Sequence, residues 1–253
     1  IVDELLDEVI AVGHMDAISQ FAFPLPIRVI ASMLGVPQED QERFWRWSFE
    51  MIGKIATPDD PEESELRHYF TEMLDKRSRM PQDDLMSALL AAEADGQHLS
   101  REETLVFCET LLLAGHITTT ILFAQALRCF DEHPEVFALL RNDPSLIPGA
   151  IEEILRYGFM VMRVPRVARQ DCILSNCEIK KGQMVLAWMG SANFDEKYFP
   201  NAEQFDIRRS PNPHLTFSHG VHYCLGAPLA RLEGQIGLER ILQRMLRICC
   251  DPK

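Results

Sequence analysis

The sequence lacks the features that mark several functional classes. It has 25 lysines and arginines against 38 aspartates and glutamates, which gives a net charge of −13. This acidic balance argues against non-specific binding to nucleic acid and against binding to an anionic membrane surface. No internal repeat or low-complexity tract is visible, and 47% of the 253 residues are hydrophobic. That is an ordinary globular composition, sufficient for one sizeable core.

A disulfide framework is also missing. The seven cysteines are odd in number and scattered, and no C-x-x-C pair occurs. Scattered cysteines favour a reducing compartment, and no signal peptide opens the sequence, so we expect a cytoplasmic protein. The cysteines are Cys108, Cys129, Cys172, Cys177, Cys224, Cys249 and Cys250.

No apolar run is both long and uninterrupted. The longest, from Leu105 to Leu127, contains Glu109, His116 and several threonines. Polar residues at this density favour a buried helix over a membrane span. The capping box at residues 100–103 predicts where this helix begins, and we expect it to run to about Phe130 through the middle of the domain.

Helical periodicity dominates the chain up to Tyr157, and short strand patterns follow it. The predicted helices cover residues 1–12, Ala22–Leu34 (with Pro24 and Pro26 at its entry), Gln38–Ile55, Ser64–Met80, Asp83–Ala94, Ser100 to about Phe130, a segment from His133, Pro144–Tyr157, and Ala227 to about Arg247. The predicted strands are Val164–Ala168, Cys172–Glu178 and Gln183–Trp188, with a turn at Lys180–Gly182, a polar loop at Thr57–Glu63 and irregular chain over 190–216. The fold class is therefore mainly α, with a small antiparallel β-sheet.

One stretch near the C-terminus combines glycines, histidines and a single cysteine. It reads FSHGVHYCLG over residues 217–226, and a helix pattern begins just after it. Cys224 is therefore expected at a helix N-terminus, where unpaired backbone N–H groups and the helix dipole favour the metal-binding thiolate. Three interpretations compete: a buried core cysteine, a zinc site with His219 and His222, and the thiolate ligand of a haem iron. The zinc interpretation is the weakest, because the spacing is tighter than in the usual structural sites.

A resemblance favours the haem interpretation. F-x-x-G-x-H-x-C-x-G followed by A-P-L-A-R-L-E resembles the haem-ligand loop of the cytochrome P-450 superfamily, in its soluble bacterial form. The resemblance implies that Cys224 ligates the iron of haem b (iron protoporphyrin IX) and that Phe217, Gly220 and Gly226 flank it. The family usually has glycine directly after the phenylalanine, where this chain has Ser218.

The resemblance also sets expectations for the whole chain. It covers essentially all of residues 1–253, yet family members carry a further N-terminal portion and a short C-terminal sheet region. We therefore expect a single cytochrome P-450-like helical domain that is incomplete at both ends.

A second motif lies in the long predicted helix. Residues 114–119 read AGHITT, and glycine and threonine are unfavourable in the middle of a helix. Two interpretations stay open: a tight helix crossing, or a break in the hydrogen-bond ladder that makes room for a ligand. The motif resembles the family's oxygen-binding motif, with Ala114, Gly115 and Thr118 at the catalytic positions. Ile117 stands where the family has a proton-relaying acid, so we expect slower or less coupled oxygen activation.

An E-x-x-R motif occupies the helix that ends at Tyr157. Taken alone, Glu153 and Arg156 form an ion pair one helical turn apart, which contributes little at a surface. The resemblance implies instead that both charges are buried and meet Arg209 from the later irregular segment. We assign this structural ion triad to the fold around the haem, not to catalysis.

Further residues receive roles from the resemblance alone. Arg166 and His222 match the partners of the haem propionates, and His214 and His219 are weaker candidates for that role. An apolar substrate pocket is expected from Phe159, Met160, Val161, Met162, Leu113, Ala114 and Met189.

These features predict a haem-thiolate monooxygenase. It would insert one atom of dioxygen into an apolar small-molecule substrate, by hydroxylation or epoxidation. Electrons would come from a separate ferredoxin or flavodoxin, because the chain has no flavin or iron–sulfur motif, and Arg231, Arg240 and Arg244 are candidates for the docking patch. We expect a monomer. Two alternatives stay open: a peroxygenase or non-hydroxylating haem enzyme with the same thiolate, and a non-catalytic apo fragment.

Overall fold

The computed structural model describes residues 1–47, 64–94, 96–158 and 161–251. The chain divides into two units, Ile1–Thr120 and Ile121–Lys253. The predicted loop Thr57–Glu63 and the second half of the predicted helix Gln38–Ile55 lie outside the described residues. The single-domain assignment of residues 1–253 stays a prediction.

The first unit is built from helices around an apolar core. The helices are α1 Val2–Ile10, α2 Pro24–Met33, α3 over residues 41–47, α4 Glu65–Arg79, α5 Leu85–Ala91 and the first part of α6 Arg101–Glu132, with a π-turn at Ile18–Ala22 and a 3-10 turn at Gln38–Asp40. Pro24 and Pro26 lie in the first turn of α2, as predicted, where a missing N–H costs nothing. The core contains aliphatic side chains together with the aromatic rings of Phe44, Trp47 and Phe70.

The predicted helix Asp83–Ala94 is too long. Its helical part, α5, ends at Ala91, and Glu93–Ala94 is strand β1, which pairs with β2 at Gln97–His98. Gly96 has a φ of +77°, a conformation that favours a tight turn over a continued helix.

Helix α6 begins at the predicted capping box. Ser100 Oγ accepts from the N–H of Glu103 at 3.2 Å, and the Glu103 carboxylate accepts from the N–H of Ser100 at 2.8 Å. The helix is 32 residues long and contributes Leu112 to the core of the first unit and Phe123 to that of the second. Its length and composition would allow a membrane span, but the core helices of globular proteins pass the same test, and 39% of its most apolar window is buried.

The second unit combines helices with short strand pairs. After the end of α6 come α7 Pro134–Asn142, α8 Ile147–Tyr157, α9 Met189–Ala192 and α10 Ala227–Arg244, with 3-10 turns at Pro144–Leu146 and Gly220–His222. Helix α10 therefore ends three residues before the predicted Arg247. Helices α8 and α10 pack together, and a side chain at Gly237 would collide with Phe123 of α6.

The small antiparallel β-structure of this unit is confirmed, with one correction. Strand β3 Val164–Val167 pairs with β6 Met184–Ala187, which places Arg166 opposite Val185. The predicted strand Cys172–Glu178 is wrong. It is a hairpin of β4 Cys172–Leu174 and β5 Cys177–Ile179, because Ser175 and Asn176 take φ values of 46° and 64°, the feature of a two-residue type I′ turn.

Candidate functional site

The cysteine loop is closed by its own backbone hydrogen bonds. The N–H of Cys224 donates to the carbonyl of Phe217 at 2.9 Å, and the N–H of Tyr223 donates to Gly220 at 3.0 Å. Ser218 and Gly220 both take positive φ values, 64° and 72°, which turn the chain back on itself. Cys224 therefore reaches solvent at the start of α10, whose N-cap is Gly226.

The loop presents a thiol on an open apolar surface. Every residue from 219 to 226 is exposed, with Val221 at 98% and Leu225 at 73%. The buried-core interpretation of Cys224 is therefore wrong. The zinc interpretation also fails, because no three His, Cys, Asp or Glu side chains in the described parts of the chain are placed to hold a metal ion. A soft ligand, apolar neighbours and open space beside Gly220 fit a flat apolar group that carries a metal.

The AGHITT segment lies in an unbroken part of α6, so the break in the hydrogen-bond ladder that one of the two interpretations requires is absent. Thr118 Oγ1 donates to the carbonyl of Ala114 at 3.0 Å, and Thr119 Oγ1 donates to Gly115 at 3.3 Å. A carbonyl oxygen has two lone pairs, so it accepts a hydroxyl without losing its helical bond. Thr118 and Ile117 are half-buried. The Thr118 oxygen keeps acceptor capacity toward a donor.

A shallow groove lies along the same helix. Its volume is about 330 Å³. Its lining is Val106, Glu109, Thr110, Leu113 and Ala114. Two of the predicted pocket residues, Leu113 and Ala114, are therefore on one open face of α6.

The structure brings the three members of the E-x-x-R triad together. Arg156 Nε and Nη2 donate to the two oxygens of Glu153 at 2.9 and 2.8 Å, and both side chains are 0% exposed. Arg209 Nε lies 3.2 Å from each Glu153 oxygen. The two guanidinium groups share one carboxylate, so the glutamate sits at the centre of the network.

The same network anchors the irregular segment before the cysteine loop. Arg156 Nη1 donates to the carbonyls of Asn193 and Ala202, each at 2.9 Å, and Arg209 Nη1 donates to Pro200 at 2.8 Å. Thr216 Oγ1 continues the attachment, because it donates to the carbonyl of Leu155 on α8 at 2.7 Å. The chain from 193 to 216 is thus fixed to α8 without a regular element of its own.

The predicted propionate partners lie at exposed positions of the second unit. Arg166 is on β3, where its Nη1 donates to the carbonyl of Pro165 at 2.9 Å. His222 ends the 3-10 turn of the cysteine loop, two residues before Cys224. Both side chains are exposed.

The predicted substrate residues after α8 are placed in part. Met189 is buried at the start of α9, Val161 is half-buried and Met162 is exposed. The N–H of Gly190 donates to the carbonyl of Met162 at 3.0 Å, which ties this segment to α9. Phe159 and Met160 lie outside the described residues.

Two glutamates of this unit escaped sequence reasoning. Glu152 accepts a bidentate pair of hydrogen bonds from Arg231. Arg231, a candidate for the docking patch, therefore already has a carboxylate partner within the chain. The sequence feature that could have indicated a partner for Glu152 is the pair Glu152-Glu153, because adjacent residues of a helix point to different neighbours. Glu233 is buried on α10. Its helical spacing from Gly237 and Leu238 places it on the same apolar face of the helix.

Comparisons with known proteins decide the family. The family model for Cytochrome P450 matches residues 61–250. The chain belongs to the cytochrome P450 family. Haem with a cysteine thiolate ligand is the cofactor of that family, and the exposed thiol of Cys224 fits it.

Several bacterial proteins are similar to this chain. The chain is 39% identical to the putative cytochrome P450 YjiB of Bacillus subtilis, over 99% of this chain and 66% of that protein. It is 41% identical to mycinamicin IV hydroxylase/epoxidase of Micromonospora griseorubida, over 97% of this chain and 63% of that protein. The crystal structure of CYP109E1 from Bacillus megaterium in complex with testosterone superposes with a TM-score of 0.93 at 38% identity, over 100% of this chain and 70% of that one.

The superposition confirms the predicted fold class. The chain spans slightly less than two thirds of the length of these curated relatives.

Proposed function

We propose that this protein is a haem-thiolate monooxygenase, which inserts one atom of dioxygen into an apolar small molecule. The exposed Cys224 at the start of α10 carries this proposal. Its position supports a thiolate ligand, because unpaired N–H groups at a helix N-terminus stabilise negative charge. Bound haem supplies the activation of dioxygen, and its thiolate ligand donates electron density that favours cleavage of the O–O bond.

The chain's own residues hold the cofactor. Cys224 is the iron ligand, and Phe217, Gly220 and Gly226 shape the loop around it. Arg166 and His222 would hydrogen-bond the propionates, and the guanidinium of Arg166 offers a bidentate fork to a carboxylate. Both are exposed in the same unit as Cys224, which supports this assignment.

Thr118 and Ile117 define how protons are handled. The Thr118 hydroxyl donates to the Ala114 carbonyl, so its oxygen is oriented to accept a hydrogen bond from water or substrate. Ile117 has no ionisable group and cannot relay a proton. Proton delivery therefore depends on Thr118 and water, and we expect a low yield of product per electron pair.

The substrate belongs to the bulky apolar natural products. The names of two similar proteins give mycinamicin IV and testosterone as the molecules that those proteins act on or bind. The apolar groove of α6 at Leu113 and Ala114 supports an apolar substrate. We place this enzyme in the cytoplasm as a monomer, with a ferredoxin or flavodoxin as electron donor.

The carbon monoxide difference spectrum of the dithionite-reduced, haem-loaded protein tests the proposal. A strongly red-shifted Soret band is expected, because only a thiolate-ligated haem gives it. Cys224→Ser should abolish this band. Cys172→Ser, which changes another exposed free cysteine, should leave it unchanged. A wild-type band at the position typical of imidazole ligation would contradict the proposal.

Ile117 favours a second candidate, a peroxygenase. Hydrogen peroxide already carries the electrons that a redox partner would supply and the protons that a relay would deliver, so an apolar residue at position 117 is no handicap there. Peroxide should then support turnover at least as well as a reduced ferredoxin does. Ile117→Glu should raise the product formed per reduced nicotinamide consumed; tight coupling in the wild type that the variant does not improve would reject the peroxygenase.

A further inference from the structure

Glu152 and Arg231 form an ion pair beside the cysteine loop. Arg231 Nε and Nη2 donate to the two carboxylate oxygens of Glu152 at 2.6 and 2.8 Å, a bidentate fork. His214 Nε2 lies 3.1 Å from Glu152 Oε2. Burial alone would raise the pKa of Glu152, but the hydrogen bonds from Arg231 and His214 outweigh it and lower the pKa to about 2. The pair is therefore charged throughout the neutral range.

Arg231 also reaches both ends of the loop. Its Nη1 donates to the hydroxyl of Tyr223 at 3.2 Å, and its guanidinium carbon lies 4.7 Å from the centre of the Phe217 ring. A cation over an aromatic face is attracted by the ring quadrupole. The His214 ring, 5.8 Å from Phe217, completes the contact. We call these five residues, Glu152, His214, Phe217, Tyr223 and Arg231, the loop clamp.

Two members of the loop clamp, Phe217 and Tyr223, fix the backbone of Cys224. Phe217 provides the carbonyl that accepts from the Cys224 N–H at 2.9 Å, and Tyr223 is its preceding neighbour. Between them, residues 219–222 are exposed and add no buried anchor. The position of the cysteine therefore depends on what holds residues 217 and 223, and Arg231 touches both.

We propose that Arg231, fixed by Glu152, is a positioning residue that holds the loop in the conformation in which Cys224 ligates haem. It acts through Phe217 and Tyr223 and does not touch the cofactor. The link to haem ligation by Cys224 rests on the proposed function. The claim that Arg231 holds the loop conformation does not depend on it. It also replaces the docking role expected of Arg231, since the guanidinium fork is already directed at a carboxylate of its own chain.

Backbone amide hydrogen exchange over residues 217–226 tests whether Arg231 holds the loop conformation, and it can be measured with or without haem. In Arg231→Met we expect the Cys224 amide to exchange at least about tenfold faster than in the wild type, because the loop opens more often. Tyr223→Phe removes one hydroxyl only and should speed exchange about threefold. Arg128→Met is the matched control: it removes an arginine paired with Glu132 on α6 and should leave the loop unchanged.

Carbon monoxide spectra of the hemin-loaded variants test the link to the ligand. Arg231→Met should convert at least about half of the red-shifted band to the band of a haem without thiolate, whereas Tyr223→Phe should convert less. Amides of α7 should exchange as in the wild type, which shows that the effect is local. If Arg231→Met does not fold, Tyr223→Phe alone decides.

The proposal is overturned if exchange over 217–226 matches the Arg128→Met control in both loop variants. It is also overturned if Arg231→Met changes only the affinity for a reduced ferredoxin, which would restore the docking role. A wild-type protein without the red-shifted band would reject the proposed function instead, and the exchange experiment would still decide the clamp.

Discussion

Two glutamates of the second unit are buried on helices that pack against each other, yet their surroundings differ. Glu153 on α8 is 0% exposed, and both of its oxygens accept hydrogen bonds from Arg156 and Arg209. Glu233 on α10 is 6% exposed, and neither of its oxygens has a partner among the described residues. Burial raises the pKa of Glu233 to about 8.

The difference shows that partners, not burial, decide what a buried acid does. The N–H donors around Glu153 replace the water that it lost on folding, so the buried charge fixes the surrounding chain. Glu233 lies beside Gly234, whose neighbours are the apolar side chains of Leu122 and Ile151. Without donors, the proton is the only partner left to the Glu233 carboxylate, and it stays bound at neutral pH.

Removing the charge of Glu153 should have the largest effect. Glu153→Gln leaves Arg156 buried without its counter-charge, and we expect the free energy of unfolding to fall by about 3–5 kcal/mol. Urea denaturation followed by circular dichroism measures the loss. The segment anchored by Arg209 should become protease-sensitive before the rest of the unit.

An exposed ion pair of the same chain provides the control for Glu153. Glu178 on β5 lies 3.4 Å from Lys180, and both side chains are largely exposed. Glu178→Gln should leave the urea midpoint unchanged, because solvent already screens the pair. Equal losses in the two variants would mean that the triad is no stronger than a surface contact.

Glu233 should make stability depend on pH in the opposite sense to an ion-paired acid. Its pKa is raised in the folded state from 4.5 to about 8, so unfolding releases a proton at neutral pH. The contribution of Glu233 to the free energy of unfolding is therefore largest below pH 4.5. It falls by about 3 kcal/mol between pH 4.5 and pH 7. Urea unfolding at several pH values should show this fall.

Glu233→Gln should remove the pH dependence, since an amide does not titrate in this range. The variant and the wild type should converge at acid pH and separate as the pH rises. Glu239, a less buried acid of the same helix that accepts from Gln243, gives the matched variant Glu239→Gln, which should keep the wild-type profile. A wild-type profile as flat as that of Glu233→Gln would refute a buried neutral acid.

The sequence was sufficient where local chemistry decides the structure. Helix boundaries marked by caps and prolines, such as Ser100 and Pro24, agree with the structure, because those residues satisfy or remove N–H groups at a helix start. The hairpin of β4 and β5 was missed. Ser175 and Asn176 make a weaker turn signal than Asn-Gly, so a continuous strand fitted the apolar pattern as well.

The site was predictable in its motifs and not in its contacts. The residues of the E-x-x-R triad could be named, because their spacing is local and the family resemblance supplied Arg209. The grip of Arg231 on Glu152 could not, because the two residues are 79 positions apart and either one alone looks like a surface charge. Long-range pairs of this kind depend on how helices pack, which periodicity does not determine.

His116 in the first unit extends the comparison to a base and should have the smallest effect. Its Nδ1 lies 2.6 Å from the carbonyl of Leu112, while its buried Nε2 has no partner in the described chain. Burial lowers the pKa of His116 from 6.5, so the folded state takes up a proton less readily than the unfolded state. Stability is therefore lost as the pH falls below about 6.5, by at most about 1.4 kcal/mol per pH unit, opposite to Glu233. Urea titrations at several pH values should show that His116→Leu abolishes this loss, whereas His68→Gln, at an exposed position, retains it. Parallel pH profiles for the wild type and His116→Leu would show that the proton affinity of His116 does not differ between the folded and unfolded states.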